Sequence, residues 1–254
     1  MWIDTHNHLD DPAFDPDRDA VLARARAAGV ARFVLCATAP ETWATRVAWG
    51  RANGVQVHCG VHPWDADHAS DASAEALTRL DVDGIGEIGL DALHAKTPEA
   101  RARQRDLLRA QLAIARDRDL PVTFHAVRSV PELLHVVRRD GLPRRGGLLH
   151  DWSGSPASLT EALALGLGIG IGPQVGHDRA RNVRHAAATA PLGALAFETD
   201  APRLRGLHGR RTEPADVVQV AKLVAALRGL PVRTVAEGSG RWPDQPFAFL
   251  GTNP

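Results

Sequence analysis

Cysteine is scarce in this chain of 254 residues, and Cys36 and Cys59 each lie in a short apolar run. Their spacing fits neither a zinc knuckle nor a disulfide framework, so we expect two buried thiols. No stretch approaches the ~18 consecutive apolar residues of a membrane span. The first residues contain Asp4 and His6 instead of the basic and apolar regions of a secretory signal, which predicts a cytoplasmic protein.

An excess of charge is also absent, because 30 Lys and Arg residues balance 30 Asp and Glu residues. A net charge of zero excludes a global attraction to nucleic acid or to acidic membranes, so any contact with a polyanion has to be local. Arginine is nevertheless clustered twice, although such clusters are more often solvated faces than binding sites. The first cluster is Arg138, Arg139, Arg144 and Arg145, and the second is Arg203, Arg205, Arg210 and Arg211.

Short apolar segments alternate with amphipathic ones over the whole chain, without a linker rich in Gly, Ser or Pro. The segment 98–119 has Leu and Arg at helical spacing and a proline near its first turn. In contrast, 30–37 has the unbroken apolar character of a strand that is buried on both faces. The pattern predicts helices at 15–28, 41–53, 73–80, 98–119, 131–139, 156–165, 179–188 and 214–228. After a first strand around 3–8, it predicts strands at 30–37, 55–59, 84–89, 121–124, 147–149, 168–172 and 194–197.

Alternating strands and helices predict a parallel sheet, because right-handed crossovers place each helix on the outside of the sheet. Eight such units in about 250 residues fit a closed (β/α)₈ TIM barrel, and we expect one domain over residues 1–254. An open, doubly wound sheet is the alternative, but the sequence lacks the G-x-G-x-x-G pattern that such folds carry after the first strand.

Most of the predicted strands end in a side chain that can bind a metal ion. His6 and His8 lie two apart in an extended segment, so they project from the same side and supply half of a metal site. In a barrel, the carboxyl ends of the strands meet at the active-site face. Each residue alone has an ordinary explanation as a helix cap or a hydrogen-bonded histidine. Their repetition at one end of successive units favours a common site formed by His6, His8, His62, Glu87, His125, His150 and Asp200.

Four imidazoles and two carboxylates exceed the three protein ligands of a typical catalytic zinc ion. They suit two ions, with Glu87 bridging them at the ~3.5–4 Å separation of two-metal sites. In this arrangement His6 and His8 hold one ion. The second ion is then held by His125 and His150.

Asp200 would bind the first ion and also take the proton from a bridging water. A metal ion lowers the pKa of bound water, which provides hydroxide as the nucleophile of a hydrolase. Mixed nitrogen and oxygen ligands admit Zn²⁺ and Mn²⁺, whereas Mg²⁺ prefers sites that are richer in oxygen.

Six motifs carry a family resemblance, and they are IDTHNHLD (3–10), GVHP (60–63), GEIGLD (86–91), PVTFH (121–125), HDWSG (150–154) and ETDAP (198–202). In this order they closely resemble the TatD-related metal-dependent deoxyribonucleases of the amidohydrolase-like superfamily, over residues 3 to about 236. The resemblance implies a TIM barrel with a divalent-metal site and 3′ to 5′ exonuclease activity on DNA. It implies metal ligands at His6, His8, Glu87, His125, His150 and Asp200.

The sequence departs from the family pattern beside two of these ligands. Asp151 and Trp152 replace a small or Cys residue and an aromatic residue, and 126–128 reads Ala-Val-Arg in place of Ser/Cys-Arg. An Asn and an Arg-x-Phe motif near the end are replaced by the sequences at 238–243 and 247–251. Asp151 either bonds a ligand histidine or adds a negative charge that disfavours phosphate.

A two-metal phosphodiesterase acting on DNA is the first functional hypothesis. In the loop after Asp200, four arginines would then bind the DNA backbone, namely Arg203, Arg205, Arg210 and Arg211. His62 would donate a hydrogen bond to phosphate, unless its segment is only a tight turn. Trp64 and Trp152 either stack unpaired bases or are buried as packing residues.

Two other hypotheses keep the barrel. The first is a hydrolase of an ester, lactone, amide or small phosphoester, because the fold and the ligands do not fix the substrate. Many related hydrolases use a carbamylated lysine at the fourth strand, and Glu87 at this position favours the nuclease-like branch. The second is a non-enzymatic subunit of a larger assembly. An exposed C-terminal tail around Trp242 would be its docking surface for a protein partner, unless this tail is an irregular segment packed on the barrel. Structural metal sites rarely need two ions with open positions, which disfavours the non-enzymatic hypothesis.

Overall fold

The computed structural model describes residues 1–202, 210–239 and 242–244. Eight strands alternate with helices in this part of the chain. The strands are β1 (Trp2–Asn7), β2 (Val30–Ala37), β3 (Gln56–Cys59), β4 (Gly84–Asp91), β5 (Val122–Val127), β6 (Gly147–Leu149), β7 (Leu167–Ile171) and β8 (Leu195–Phe197). The helices are α1 (Arg18–Ala27), α2 (Trp43–Asn53), α3 (Asp71–Arg79), α4 (Pro98–Asp117), α5 (Val130–Asp140), α6 (Pro156–Ala164), α7 (Arg181–Thr189), α8 (Val217–Arg228) and α9 (Val232–Gly238).

The strands form one parallel sheet in sequence order, from β1 to β8. The segment after β8 returns to β1, since the backbone N–H of Asp200 donates to the carbonyl of His6 at 3.0 Å. The N–H of His8 donates to the carbonyl of Ala201 at 2.8 Å. These bonds bring the last strand beside the first, and the predicted (β/α)₈ barrel is confirmed.

The predicted elements agree with the structure to within a few residues, with two differences that matter. Strand β5 continues through His125 to Val127, so this histidine lies inside the strand and not after it. Helix α9 is not predicted by the sequence pattern. It is only seven residues long and lies between glycines, so it has too few turns to show an apolar periodicity.

Helix α4 shows how an outer helix holds the carboxyl end of the barrel. Thr97 caps it by accepting a hydrogen bond from the backbone N–H of Ala100, and Pro98 occupies its first turn. Its buried face carries two glutamines among leucines. Gln111 bonds both the N–H and the carbonyl of Val61, while Gln104 accepts from the N–H of Asp91. The amides thereby fix the segments that follow β3 and β4.

The amino end of the barrel is closed by an aromatic side chain from the C-terminal segment. Trp242 is fully buried and packs inside the barrel with Val34, Leu148 and Ala196. Pro243 accepts a hydrogen bond from Arg145 at 3.2 Å through its carbonyl. The prediction of an exposed tail at this tryptophan is therefore wrong, because the indole fills the barrel. The motif 247–251 lies outside the described residues.

Two further predictions concern the interior. Cys36 and Cys59 are buried, unpaired thiols, as expected. Burial raises the pKa of Cys59 to about 12, so this thiol stays protonated and inert.

Within the described ranges, the structure contains no helix with the length and apolar character needed to cross a membrane.

Candidate metal centre

Glu87 occupies the middle of the carboxyl end of the barrel and is almost completely buried. Its Oε2 atom lies 3.5 Å from Nε2 of His6 and 3.6 Å from Nε2 of His8. Oδ1 of Asp200 lies 3.4 Å and 3.2 Å from the same two nitrogens. The residues from β1, β4 and the end of β8 therefore form one group of possible ligands, as the sequence predicts.

The second carboxylate oxygen of Glu87 faces a different set of imidazoles. Oε1 lies 2.6 Å from Nδ1 of His125, 2.7 Å from Nε2 of His150 and 3.3 Å from Nε2 of His62. The nitrogens of His125 and His150 are 3.2 Å apart. The other five predicted ligands thus surround the carboxylate of Glu87, and its two oxygens divide them into two groups.

The chemistry of these groups fits divalent cations. Nε2 of His6, Nε2 of His8 and Oδ1 of Asp200 are buried and have no hydrogen-bond partner among the described residues. Buried polar atoms of this kind are rare unless a water or an ion satisfies them. The ligand atoms of His6, His8 and Glu87 all lie within 4.8 Å of one another.

Local irregularities in the sheet direct these side chains inward. The register between β4 and β5 shifts between Ile85 and Ile88, where Glu87 lies, and β1 shifts against β2 between Asp4 and Asn7. A shift of this kind turns a side chain relative to the regular pleat. Strand β4 also needs a glycine beside the site, because a Cβ atom at Gly89 would lie 1.9 Å from the carbonyl oxygen of His125.

The two histidines of β1 are oriented by one residue of β2. Nδ1 of His8 lies 3.0 Å from the carbonyl oxygen of Cys36, and Nδ1 of His6 lies 3.3 Å from its Sγ atom. A carbonyl only accepts, so His8 carries its proton on Nδ1 and keeps the Nε2 lone pair for a ligand. Outer contacts that fix the tautomer in this way are typical of metal-binding histidines.

Carboxylates, in contrast, face the outer nitrogens of the other two histidines. Nε2 of His125 lies 3.4 Å from Oδ2 of Asp91, which also accepts a 2.6 Å hydrogen bond from the indole N–H of Trp64. Nδ1 of His150 lies 4.0 Å from Oε1 of Glu198. The sequence analysis did not assign Asp91 and Glu198 to the site. Both lie in the quoted motifs at or next to strand ends, and this position was the signal from which they could have been assigned to the site.

His62 has a different orientation from the other imidazoles. Its Nδ1 atom accepts a hydrogen bond from the backbone N–H of Trp64 at 3.2 Å. In a neutral imidazole the proton is therefore on Nε2, the nitrogen that faces Glu87. A protonated nitrogen donates hydrogen bonds and does not bind a metal ion, which distinguishes His62 from the six predicted ligands.

Burial and charge set the ionisation of the centre. Burial lowers the pKa of His6 to about 4. Burial opposes protonation of His150 as well, but the Glu87 carboxylate outweighs it and raises the pKa of His150 to about 10. Burial would raise the pKa of Glu87, yet the neighbouring histidines hold it well below its usual range. The nearby imidazoles of His6 and His8 similarly overcome burial and lower the pKa of Asp200. Both carboxylates are therefore ionised and available to cations.

Asp151, which departs from the family pattern, lies in the wall of the pocket over the centre. Its Oδ2 accepts a hydrogen bond from Gln174 at 2.9 Å, and its backbone N–H donates to Glu198. Burial raises the pKa of Asp151. The described residues show no hydrogen bond from its carboxyl to a ligand histidine, so the first of its two suggested roles is not observed.

The predicted substrate contacts have different outcomes. Arg203 and Arg205 lie outside the described residues. Arg211 forms ion pairs with Asp17 and Glu213, and Arg210 forms an ion pair with Asp216. The side chains of these two members of the second cluster are therefore already paired with carboxylates. Trp152 is buried and packs in the core, whereas 47% of Trp64 is exposed beside the centre.

A (β/α)₈ barrel with His, Glu and Asp side chains gathered at its carboxyl end defines a barrel hydrolase of the metal-dependent class. The chain belongs to the TatD-related DNase family, whose model matches residues 3–240. It is 36% identical over 245 residues to the uncharacterized metal-dependent hydrolase YjjV of Escherichia coli, covering 93% of each chain. The crystal structure of YjjV matches with a TM-score of 0.86 and 34% identity, over 93% of this chain and 94% of that one.

A second relative has a named activity. The chain is 35% identical to the 3'-5' ssDNA/RNA exonuclease TatD of Klebsiella pneumoniae, over 87% of this chain and 88% of that protein. The family resemblance drawn from the motifs is thus confirmed. The protein is a metal-dependent hydrolase that acts on ester bonds.

Proposed function

We propose that the protein is a phosphodiesterase that removes nucleotides from the 3′ end of single-stranded DNA, and that it uses two divalent ions. The observation that carries the proposal is the division of ligands around Glu87. One oxygen faces His6 and His8, and the other faces His125 and His150. A carboxylate between two groups of imidazoles is the arrangement expected of a bridging ligand.

Two ions account for every predicted ligand. The first would be held by His6, His8, Asp200 and Oε2 of Glu87, and the second by His125, His150 and Oε1 of Glu87. Ions at these positions would supply positive charge to the phosphodiester and would acidify a water molecule. Zn²⁺ and Mn²⁺ suit the mixed nitrogen and oxygen donors better than Mg²⁺.

Asp200 is the proposed general base. Its carboxylate remains ionised, and Oδ1 is buried without a hydrogen-bond partner among the described residues. A base with a vacant lone pair can accept the proton of the attacking water as the bond to phosphorus forms. Its backbone N–H is bonded to the carbonyl of His6, which fixes the strand end relative to the ligands of β1.

His62 and Trp64 are the proposed substrate contacts on the opposite wall. The N–H at Nε2 of His62 points into the centre, where it can donate to a phosphate oxygen. The ring of Trp64 stacks on His94 with 5.8 Å between ring centroids, and its exposed part would contact an unpaired base. A single strand supplies such bases without the cost of opening a duplex.

The test is hydrolysis by purified, metal-reconstituted protein. End-labelled single-stranded and double-stranded DNA are incubated beside ester, lactone and phosphomonoester substrates, and bound metal is counted by mass spectrometry. We expect stepwise shortening of the single strand from its 3′ end and about two ions per chain. Inactivity on DNA together with turnover of another class would refute the nuclease and favour a small-substrate hydrolase.

A further inference from the structure

We propose that the phosphodiester backbone of the bound strand lies in a groove lined by Arg128, Arg179 and Arg181, which we call the arginine groove. The inference rests on the proposed function and adds the location of the strand beyond the reacting phosphate. The sequence analysis assigned this role to other arginines, in the loop after β8. The groove lies on the side of the barrel formed by the segments after β5, β6 and β7.

Two adjoining pockets make the groove continuous with the metal centre. A pocket of about 260 Å³ over His125 and His150 has Arg128 in its wall. A second pocket of about 220 Å³ is lined by Arg179 and Arg181. The two pockets share lining residues, which are Ser153 and Gln174. A chain that leaves the centre therefore enters the second pocket without crossing a closed wall.

The three arginines differ from the other arginines that the structure describes. Arg128, Arg179 and Arg181 are exposed. Every other arginine side chain in residues 1–202, 210–239 and 242–244 forms a hydrogen bond or an ion pair. Arg184, for example, donates a hydrogen bond to the carbonyl of Val175. An unpaired guanidinium offers its full set of donors to an incoming anion. All three line one groove beside the metal centre, and such a grouping of unpaired arginines is not expected by chance.

The groove is built on fixed backbone. Arg128 follows β5 with φ 51°, in the left-handed region that a non-glycine residue adopts only when its surroundings hold it there. Asn182 donates a hydrogen bond to the carbonyl of Ser153 at 2.8 Å, which ties the start of α7 to the segment after β6. The charged walls of both pockets therefore keep their positions without a bound strand.

Charge complementarity identifies the occupant as a nucleic-acid backbone. Guanidinium groups bind phosphate through paired, charge-assisted hydrogen bonds. Because the net charge of the protein is zero, attraction to a polyanion has to come from such a local cluster. Leu93 is 48% exposed and lines the pocket over the centre together with Arg128. A pocket with both a charged and an exposed apolar side chain suits an unpaired strand, which offers phosphates and bases.

The test compares two triple variants that lose the same charge. The groove variant is Arg128→Ala with Arg179→Ala and Arg181→Ala. The control is Arg26→Ala with Arg144→Ala and Arg233→Ala, in which the first two residues precede β2 and β6 and so lie at the opposite end of the barrel. Fluorescence anisotropy measures binding of the metal-loaded proteins to a labelled oligothymidylate of about twelve nucleotides, protected at its 3′ end by phosphorothioate linkages.

We expect the groove variant to bind about tenfold or more weakly than the wild type and the control to bind within about twofold. Three lost phosphate contacts should also reduce the slope of log affinity against log salt concentration by about 2. A triple Arg→Lys variant keeps the charge and should retain most of that slope. Equal losses in the groove and control variants, or wild-type protein that does not bind the oligonucleotide, would overturn the inference.

Hydrolysis separates this inference from the proposed function. The double variant Arg179→Ala with Arg181→Ala should cleave bis(p-nitrophenyl) phosphate within about twofold of wild type, because both arginines line the second pocket, which this small diester does not reach. Parallel losses on the small diester and on the oligonucleotide would show that the substitutions damage the centre and would refute the groove. Wild-type protein that binds the oligonucleotide through these arginines but does not shorten it would keep the groove and refute the exonuclease.

Discussion

The two ends of the barrel interior both contain buried histidine, but they are built for different purposes. At the carboxyl end, Glu87 lies between imidazoles whose ring nitrogens face it. At the amino end, His58 is also fully buried, yet its neighbours there are the apolar residues around Trp242, and its ring meets the indole edge to face at 5.3 Å. The described part of the chain places no carboxylate beside its ring.

This difference shows what converts buried histidine into a metal site. Nδ1 of His58 lies 2.9 Å from the hydroxyl of Thr123, and the ring fills the space that Gly84 leaves, where a Cβ atom would lie 2.4 Å from the ring. Burial lowers the pKa of His58 to about 3, so it stays neutral and acts as a packing residue. A carboxylate between the imidazoles, more than the imidazoles themselves, distinguishes the carboxyl end.

Loss of the carboxylate between the two groups should have the largest effect. Glu87→Gln keeps the shape and removes the charge, so bound metal and turnover should be lost together. Loss of several kcal/mol of transition-state stabilisation corresponds to a decrease in turnover on the order of 10⁴-fold. Without metal, the melting temperature should fall, because the protonated His150 would be left buried without its paired carboxylate. Bound metal is counted by mass spectrometry, and Glu99→Gln, in the exposed first turn of α4, is the control. Full activity in Glu87→Gln would exclude the bridging role.

The proposed general base should come next in size. Asp200→Asn removes the proton acceptor but keeps the backbone bond to His6, so the barrel should remain folded. We expect kcat to fall on the order of 10²- to 10⁴-fold, as is usual for general bases, while the ion bound by His125 and His150 remains. Far-ultraviolet circular dichroism checks the fold, and near-normal kcat would place the base elsewhere.

The opposite end of the barrel should respond in stability and not in chemistry. Trp242→Ala empties the space between Val34 and Leu148, and such a truncation costs about 3–5 kcal/mol in the free energy of unfolding. Metal content and kcat per folded molecule should stay close to wild type, because the centre lies at the other end. Urea unfolding gives the stability. A large decrease in kcat at full occupancy of the folded state would show that the two ends are coupled.

The contrast also explains how far sequence could lead. The barrel and the grouping of the six proposed ligands follow from local patterns, because apolar runs mark the strands and the carboxyl ends of parallel strands must meet. Trp242 could not be placed, since its partners at 34, 148 and 196 are distant in sequence and only the tertiary fold joins them. Arg128 has no charge run around it, and its importance comes from lacking a partner, which only the structure reveals. The same holds for Asp91, whose contact with His125 depends on ring orientation.

A smaller effect, confined to one half of the centre, is expected at Asp91. Asp91→Asn retains an acceptor for Trp64 and removes the charge that faces Nε2 of His125. Loss of such an outer carboxylate typically weakens metal binding about 10- to 100-fold. Competition with a chelator should show this loss for one of two ions, since His6 and His8 are oriented by Cys36 instead. Equal weakening of both ions would contradict the separate orientation of the two halves.

The smallest effect should be a pH dependence at the amino end. The pKa of His58 is about 3 in the folded protein and about 6.5 in an unfolded chain, so between these values the unfolded state binds the extra proton. The free energy of unfolding should therefore fall as the pH decreases from 6.5, by at most about 1.4 kcal/mol per pH unit from this residue. His58→Gln, which can still bond Thr123, should reduce that slope, even if its stability at neutral pH is lower. Unfolding in urea at several pH values above 4 gives both slopes, and their difference cancels the contribution of His6. Identical slopes would mean that His58 is already charged in the folded barrel, and the two ends would then differ less than their burial indicates.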